Sequence, residues 1–325
     1  MGIVTATRER EHAATVTVNG GLMKVALLVL AAATLPFFGS ALRAEDALAP
    51  SGPWAIDYDT DSCALRRWFG NADDPVYLEF RRFGPGLGLQ TTIASRHMSD
   101  RAHRNIRYRF NDEGDWLVPG LGFSVILDDR FKGVLFEPSF VDLSELDSIE
   151  DEAERAAYLR SIDVSAIERE RAAGVKTITL RRTGGEMTLQ LGNFEAPIAA
   201  LQGCIEELTT HWDIDADAHK TLTRRAAPVN LPDVSRMLDY PPKMVRQSMP
   251  GVVNVRLAVD EQGVVTACHI QMPLADPAFA ESSCADIRHE IDFDPALDES
   301  GMPIASYWIT KVVFQIGSPV SRRSP

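Results

Sequence analysis

Between Gly251 and Met272 the chain carries the pattern that most restricts its fold. Val253, Val255, Leu257 and Val259 alternate with Asn254, Arg256 and Ala258, and a period of two marks a half-buried strand. Asp260-Glu261-Gln262-Gly263 is a hairpin loop that ends in glycine. Val264 to Met272 returns as the partner strand, with Val264, Cys268, Ile270 and Met272 close to one face and His269 on the other. A lone hairpin is marginal in water, so other elements have to cover its apolar face. They flank it in sequence. Tyr240-Pro241-Pro242 opens a short helix through Gln247, because proline is tolerated in a first turn, and Pro250-Gly251 ends it. From Ala278 to Glu290, Ala280, Cys284 and Ile287 form an apolar helical stripe that Ile291 continues. Tyr307 to Ile316 is a last strand, with Trp308, Val312, Phe314 and Ile316 on one face. The order helix, strand, strand, helix, strand predicts an α+β module over residues 240–317, with two helices packed on a three-stranded antiparallel sheet.

At 325 residues the chain exceeds what one core usually serves, and 45% hydrophobic with 24% charged residues is a globular balance. A larger α+β domain is expected over residues 54–214. Val76 to Phe80, Leu87 to Ala94, Ile106 to Phe110 and Phe123 to Leu127 read as strands. Thr177 to Leu180 and Met187 to Leu191 flank Thr183-Gly184-Gly185-Glu186 as a hairpin. Ile198, Leu201, Ile205, Leu208 and Trp212 line one face of a helix whose first turn holds Pro197. Leu143 to Ala173, rich in Glu, Ala and Arg, reads as a helical stretch with a solvated face. Residues 215–239 hold Pro228 and Pro232 and no apolar period, and read as a linker.

Residues 1–44 read as an N-terminal extension followed by an export signal. Met23-Lys24 supplies a start and a positive charge, Val25 to Leu35 is apolar apart from Thr34, and small residues follow. Gly39 and Ala41 suit a cut after Ala41; a cut after Ala44 puts the bulkier Leu42 at the outer position. The apolar stretch is short of the roughly 20 residues of a membrane span. Arg8, Glu9, Arg10, Glu11 and His12 are foreign to the basic region of such a signal, which points to translation from Met23. An anchor retained at residues 23–40 is the alternative.

An exported chain with four cysteines and no CxxC is expected to oxidise them in pairs. Cys268 lies on the core-facing side of its strand and Cys284 on the apolar stripe of the next helix, so a Cys268–Cys284 bridge is expected. Cys63–Cys204 then joins the start of the first domain to its last helix. A zinc site from Cys268, His269, Cys284 and His289 is disfavoured, because adjacent strand residues point to opposite faces. His97 and His103 sit among Arg96, Arg101, Arg104 and Arg107 as a basic patch, and His211 and His219 flank Asp213, Asp215 and Asp217 near a helix end. GxSxG, HExxH, P-loop and GxGxxG patterns are all missing. No catalytic residue, cofactor or metal is therefore expected, with a hydrolase in residues 54–214 as an alternative. The net charge of −13 repels phosphate backbones and anionic lipid, so nucleic acid is a poor partner.

The C-terminal run resembles the C-terminal domain of the TonB family, over about residues 236–317. Carrying the resemblance are Tyr240-Pro241; Gly251-Val252-Val253-Asn254-Val255 leading to Val259-Asp260-Glu261-Gln262-Gly263-Val264-Val265; Phe293-Asp294-Pro295-Ala296; Gly301-Met302-Pro303; and Val312-Val313-Phe314-Gln315-Ile316. In that family an inner-membrane helix and a Pro-rich spacer precede the domain. The domain itself binds an extended segment of an outer-membrane transporter and couples it to the proton-motive force. This chain departs from the plan. It has a cleavable-looking signal, a folded domain in place of the spacer, and Met237-Leu238-Asp239 where well-known members carry Gln-Pro. The resemblance implies a periplasmic, non-catalytic binding or adaptor protein. Its partner would be an envelope protein offering an extended peptide, such as a TonB-dependent transporter of the outer membrane. An energy transducer anchored by residues 23–40 is the alternative. By the same resemblance the last strand is a sheet edge. Tyr307, Trp308, Ile309, Thr310, Lys311, Val312, Val313 and Phe314 are then the expected partner-binding residues, with Tyr307, Trp308 and Ile309 packing against the added peptide.

Overall fold

The computed structural model describes residues 2–8, 47–86, 88–99, 102–120, 122–128, 130–141, 148–149, 154, 158, 162–230, 238–273 and 276–316. The export signal, most of the acidic stretch before residue 162, and residues 231–237 of the linker lie outside them. No helix among the described residues is long and apolar enough to cross a membrane.

Gly2–Arg8 (β1) joins the C-terminal sheet, below. The first domain then runs β2 (Ala55–Tyr58), β3 (Cys63–Gly70), β4 (Pro75–Arg82), β5 (Gln90–Ser95), β6 (Arg107–Phe110), β7 (Gly122–Asp128), β8 (Phe131–Phe136), α1 (Val164–Gly174), β9 (Thr177–Arg182), β10 (Gly185–Gln190) and α2 (Glu195–Thr209). A six-stranded antiparallel sheet has the order β2-β3-β4-β5-β8-β7, and a three-stranded one β10-β9-β6. Leu65, Leu78, Phe80, Ile93, Val134 and Phe136 project from one face of the large sheet into a core shared with α2 and the small sheet. The β9–β10 hairpin pairs Leu180 with Met187 across Thr183-Gly184, and α2 buries Ile198, Leu201, Ile205 and Leu208. Strands β3 and β8 had no signature in the sequence. Both are buried on two faces over much of their length, and such strands lose the period-two pattern.

Glu168 corrects the reading of Leu143 to Ala173 as a solvated face. It is 2% exposed on α1, and its carboxylate accepts from Arg82 at 2.5 and 3.1 Å and from Gln202 at 2.7 Å. Arg82 sits on the core side of β4, where an unpaired guanidinium would be prohibitive, so the nearest helix supplies a carboxylate.

The C-terminal part holds β11 (Ala227–Pro228), α3 (Pro242–Gln247), β12 (Gly251–Val259), β13 (Val265–Pro273), α4 (Pro277–Glu290), β14 (Phe293–Asp294), β15 (Ala296–Leu297), β16 (Pro303–Ile304) and β17 (Ser306–Ile316). It is the predicted α+β module: β17, β12 and β13 form an antiparallel sheet under the two helices. Asp276 caps α4 by accepting from Ala278 N–H, with Pro277 in the first turn. Gly263 closes the β12–β13 loop at φ +81°, and a Cβ there would strike the Phe293 carbonyl. Val253, Val255, Leu257, Phe279, Val312 and Phe314 fill the core. Leu222 and Ala226 enter this same core, and β11 pairs with β14, so residues 222–228 pack as part of the module. Disulfides join Cys63 to Cys204 and Cys268 to Cys284, with Cα atoms 6.1 and 5.8 Å apart.

Candidate functional site on the C-terminal sheet

Strand β17 pairs with β12 on one side. On its other side β1 runs parallel to it, in register from Gly2 on Thr310 to Arg8 on Ile316. Tyr307, Trp308 and Ile309 lie beyond that register. Side chains of β17 alternate between two environments. Trp308, Val312 and Phe314 belong to the helix-side core, with Trp308 edge-on to Phe293 at 5.5 Å and Phe314 against Phe279 at 4.6 Å. Tyr307 and Ile309 face the first domain, and Lys311 pairs there with Glu137. Tyr307 meets Trp212 edge-on at 4.8 Å, and Ile309 lies over Gly84, where any Cβ would collide with it. The large side chains expected to hold a peptide are thus engaged inside the protein. What β17 offers outward is backbone.

The face of β12 that carries Asn254 and Arg256 corrects the half-buried reading of this strand. Asn254 is fully buried and Arg256 is 5% exposed, because the sheet stacks on the first domain. Arg256 donates through Nη2 and Nε to one oxygen of Asp61, at 2.7 and 3.1 Å, and its guanidinium lies 4.6 Å from the Trp212 ring. Asn254 donates to Gln90 at 3.1 Å. Gln271 donates to the carbonyls of Phe83 and Asp61 at 2.5 and 3.0 Å. A signal for this cover was present in the sequence. Tyr307, Ile309 and Val313 occupy the β17 positions beside Ala258, Arg256 and Val252, and an apolar row there has no reason to exist on a wet face.

Lys311 is 2% exposed, and burial pushes its ammonium down to about 8. A lysine whose folded value lies below its unfolded one binds fewer protons when folded. Stability therefore rises with pH between about 8 and the unfolded value near 10.4. Lys311→Met removes the desolvated charge. It is expected to abolish the alkaline gain relative to the parent, because the titrating amine is gone. Urea unfolding of both chains at pH 7 and 10 checks this; equal pH dependence would refute it.

Among the described residues, the remaining candidates stand apart from one another. His219 stacks on Tyr307 and bonds through its ring nitrogens to the Asp215 carbonyl at 2.7 Å and Ser306 Oγ at 2.9 Å. His97 pairs with Asp74 and His103 with Ser124. Among the described residues, no group of three or more His, Cys, Asp or Glu side chains could hold a metal. Tyr240 seals the end of the module. Its hydroxyl donates to the Met249 carbonyl at 2.6 Å, its ring packs on Phe279 and Phe314, and burial raises its phenol to about 12.

Residues 236–316 match the family model of the Gram-negative bacterial TonB protein C-terminal. The TonB match takes in α3, the β12–β13 hairpin, α4 and β17, and it covers about a quarter of the chain. It associates the module with the envelope and with transport across it, and the first domain lies wholly outside it. No curated protein and no solved structure matches the chain.

Proposed function

We propose that this chain is an exported, periplasmic, non-catalytic binding protein. Its TonB C-terminal module captures an extended peptide from an outer-membrane partner by strand addition at the outer edge of β17. The observation that carries the reading is the seven-residue parallel register of β1 on β17, which supports an edge able to take one more strand. Backbone pairing supplies affinity in such an arrangement and alternate side chains supply selectivity. Translation from Met23, or cleavage after Ala41 or Ala44, would leave β17 without β1 and its outer backbone edge from Lys311 to Ile316 open to a partner.

A labelled peptide with the sequence Gly2–Arg8 is the direct probe. A chain beginning at Glu45 is expected to bind it. The full chain, whose own strand competes at high effective concentration, is expected to bind about tenfold more weakly or worse. Fluorescence anisotropy reads both. No binding to the shorter chain, or equal binding to the two, would sink strand addition at this edge.

A further inference from the structure

A sheet edge with unpaired N–H and C=O groups is a pairing site unless something guards it. Among the described residues, most edges of this protein's larger sheets are guarded. β1 lies along β17, and Leu48 and Leu117 bridge to the outer sides of β10 and β6. β2 has only four residues. β13 carries two register shifts against β12 and ends at Pro273. β7 is the exception. It is the last strand of the six-stranded sheet, and from Gly122 to Leu127 it holds neither a charge nor a proline. Its one register shift falls after Ile126. Ile126 and Leu127 are large apolar side chains, 68% and 47% exposed.

We propose that β7 is a self-association edge, on which a second copy of this chain pairs antiparallel about a two-fold axis and joins the two large sheets. The strand matches itself. In a register centred on Val125, Ile126 and Leu127 of one copy fall opposite Ser124 and Phe123 of the other, and the two-fold repeats each contact. Phe123 and Val125 border a cleft with Leu135, Pro250, Gly251 and Val252, so apolar surface lies beside the place where Leu127 arrives. Asp128 falls opposite Gly122, where a Cβ would touch the His103 carbonyl and where Arg104 is exposed nearby. The acidic end of one strand is thus set against a basic end of the other. A single seven-residue strand pair is a small interface, and the net charge of −13 opposes association, so the dimer is weak, with a Kd of about 10–100 μM.

Sedimentation velocity of the intact chain, in which β1 covers the edge of β17, tests this between about 1 and 300 μM. The sedimentation coefficient is expected to climb from that of a monomer toward that of a dimer. Ile126→Lys puts a charge on the edge at an exposed position, where the fold does not need the side chain, and is expected to weaken the dimer about tenfold or more. Val125→Cys sets two thiols directly opposite each other, with Cβ atoms about 5 Å apart, while the native cysteines are all held in disulfides. Mild oxidation is expected to cross-link it about tenfold faster than Val118→Cys, a site that is 69% exposed on another segment. A chain that stays monomeric over the whole range, or a dimer that Ile126→Lys leaves unchanged, overturns the proposal. Equal cross-linking of the two cysteine variants does the same. A monomeric chain that binds a labelled Gly122–Asp128 peptide would mean that the edge takes a foreign strand, and the second copy is then the wrong occupant.

Discussion

Replacing both Cys63 and Cys204 by alanine is expected to lower the stability of the first domain by about 5 kcal/mol. The bond joins the start of β3 to α2 across a sequence separation of 141 residues, and closing so long a loop removes much of the freedom of the unfolded chain. Both cysteines are buried, at 1% and 0% exposure, in the core shared by the large sheet and α2, so small voids add to the loss. Urea unfolding of parent and variant, followed by near-ultraviolet circular dichroism, measures it. A loss under about 1 kcal/mol would mean that the unfolded chain is already restrained by other means.

Glu168→Ala is expected to cost about 3–5 kcal/mol, nearly as much as the disulfide, through a different mechanism. It strips the counter-charge from Arg82, which is 3% exposed and whose Nε already has no hydrogen-bond partner. It also removes an acceptor from Gln202, which bridges α2 to α1 through the Ser165 carbonyl and Arg169. Removing both ends together, as Arg82→Met with Glu168→Leu, should restore most of that stability, because no uncompensated charge remains. Comparison of the single and double variants in the same unfolding assay decides it. If the double variant is as unstable as Glu168→Ala, the pair is valued for its geometry and not for its charge balance.

Local sequence determined a good deal of this protein. Where one face of an element is apolar and the other is not, the period alone names it. β12 with its Asp260–Gly263 loop, α2, α4 and the β9–β10 hairpin are all of this kind. The TonB likeness of residues 236–316 is equally local, carried by short runs such as Phe293-Asp294-Pro295-Ala296 whose turn chemistry does not depend on distant residues.

Tertiary structure alone decided the rest. β3 and β8 are covered on two faces over much of their length, and both rows of their side chains include apolar residues, so little alternation is left to read. Asn254, Arg256, Gln271 and Lys311 have the side chains of a solvated face, yet each is 5% exposed or less, because partners some 160 to 210 residues away in sequence, or across another domain, satisfy them. Glu168 likewise belongs to a charged, helical run and is buried only because β4 brings Arg82 to it. A polar residue states what it needs, a donor, an acceptor or a counter-charge, but not whether water or another part of the chain will provide it. That choice is made when the domains meet, and on this sheet only the apolar row of Tyr307, Ile309 and Val313 on the neighbouring strand hinted at it.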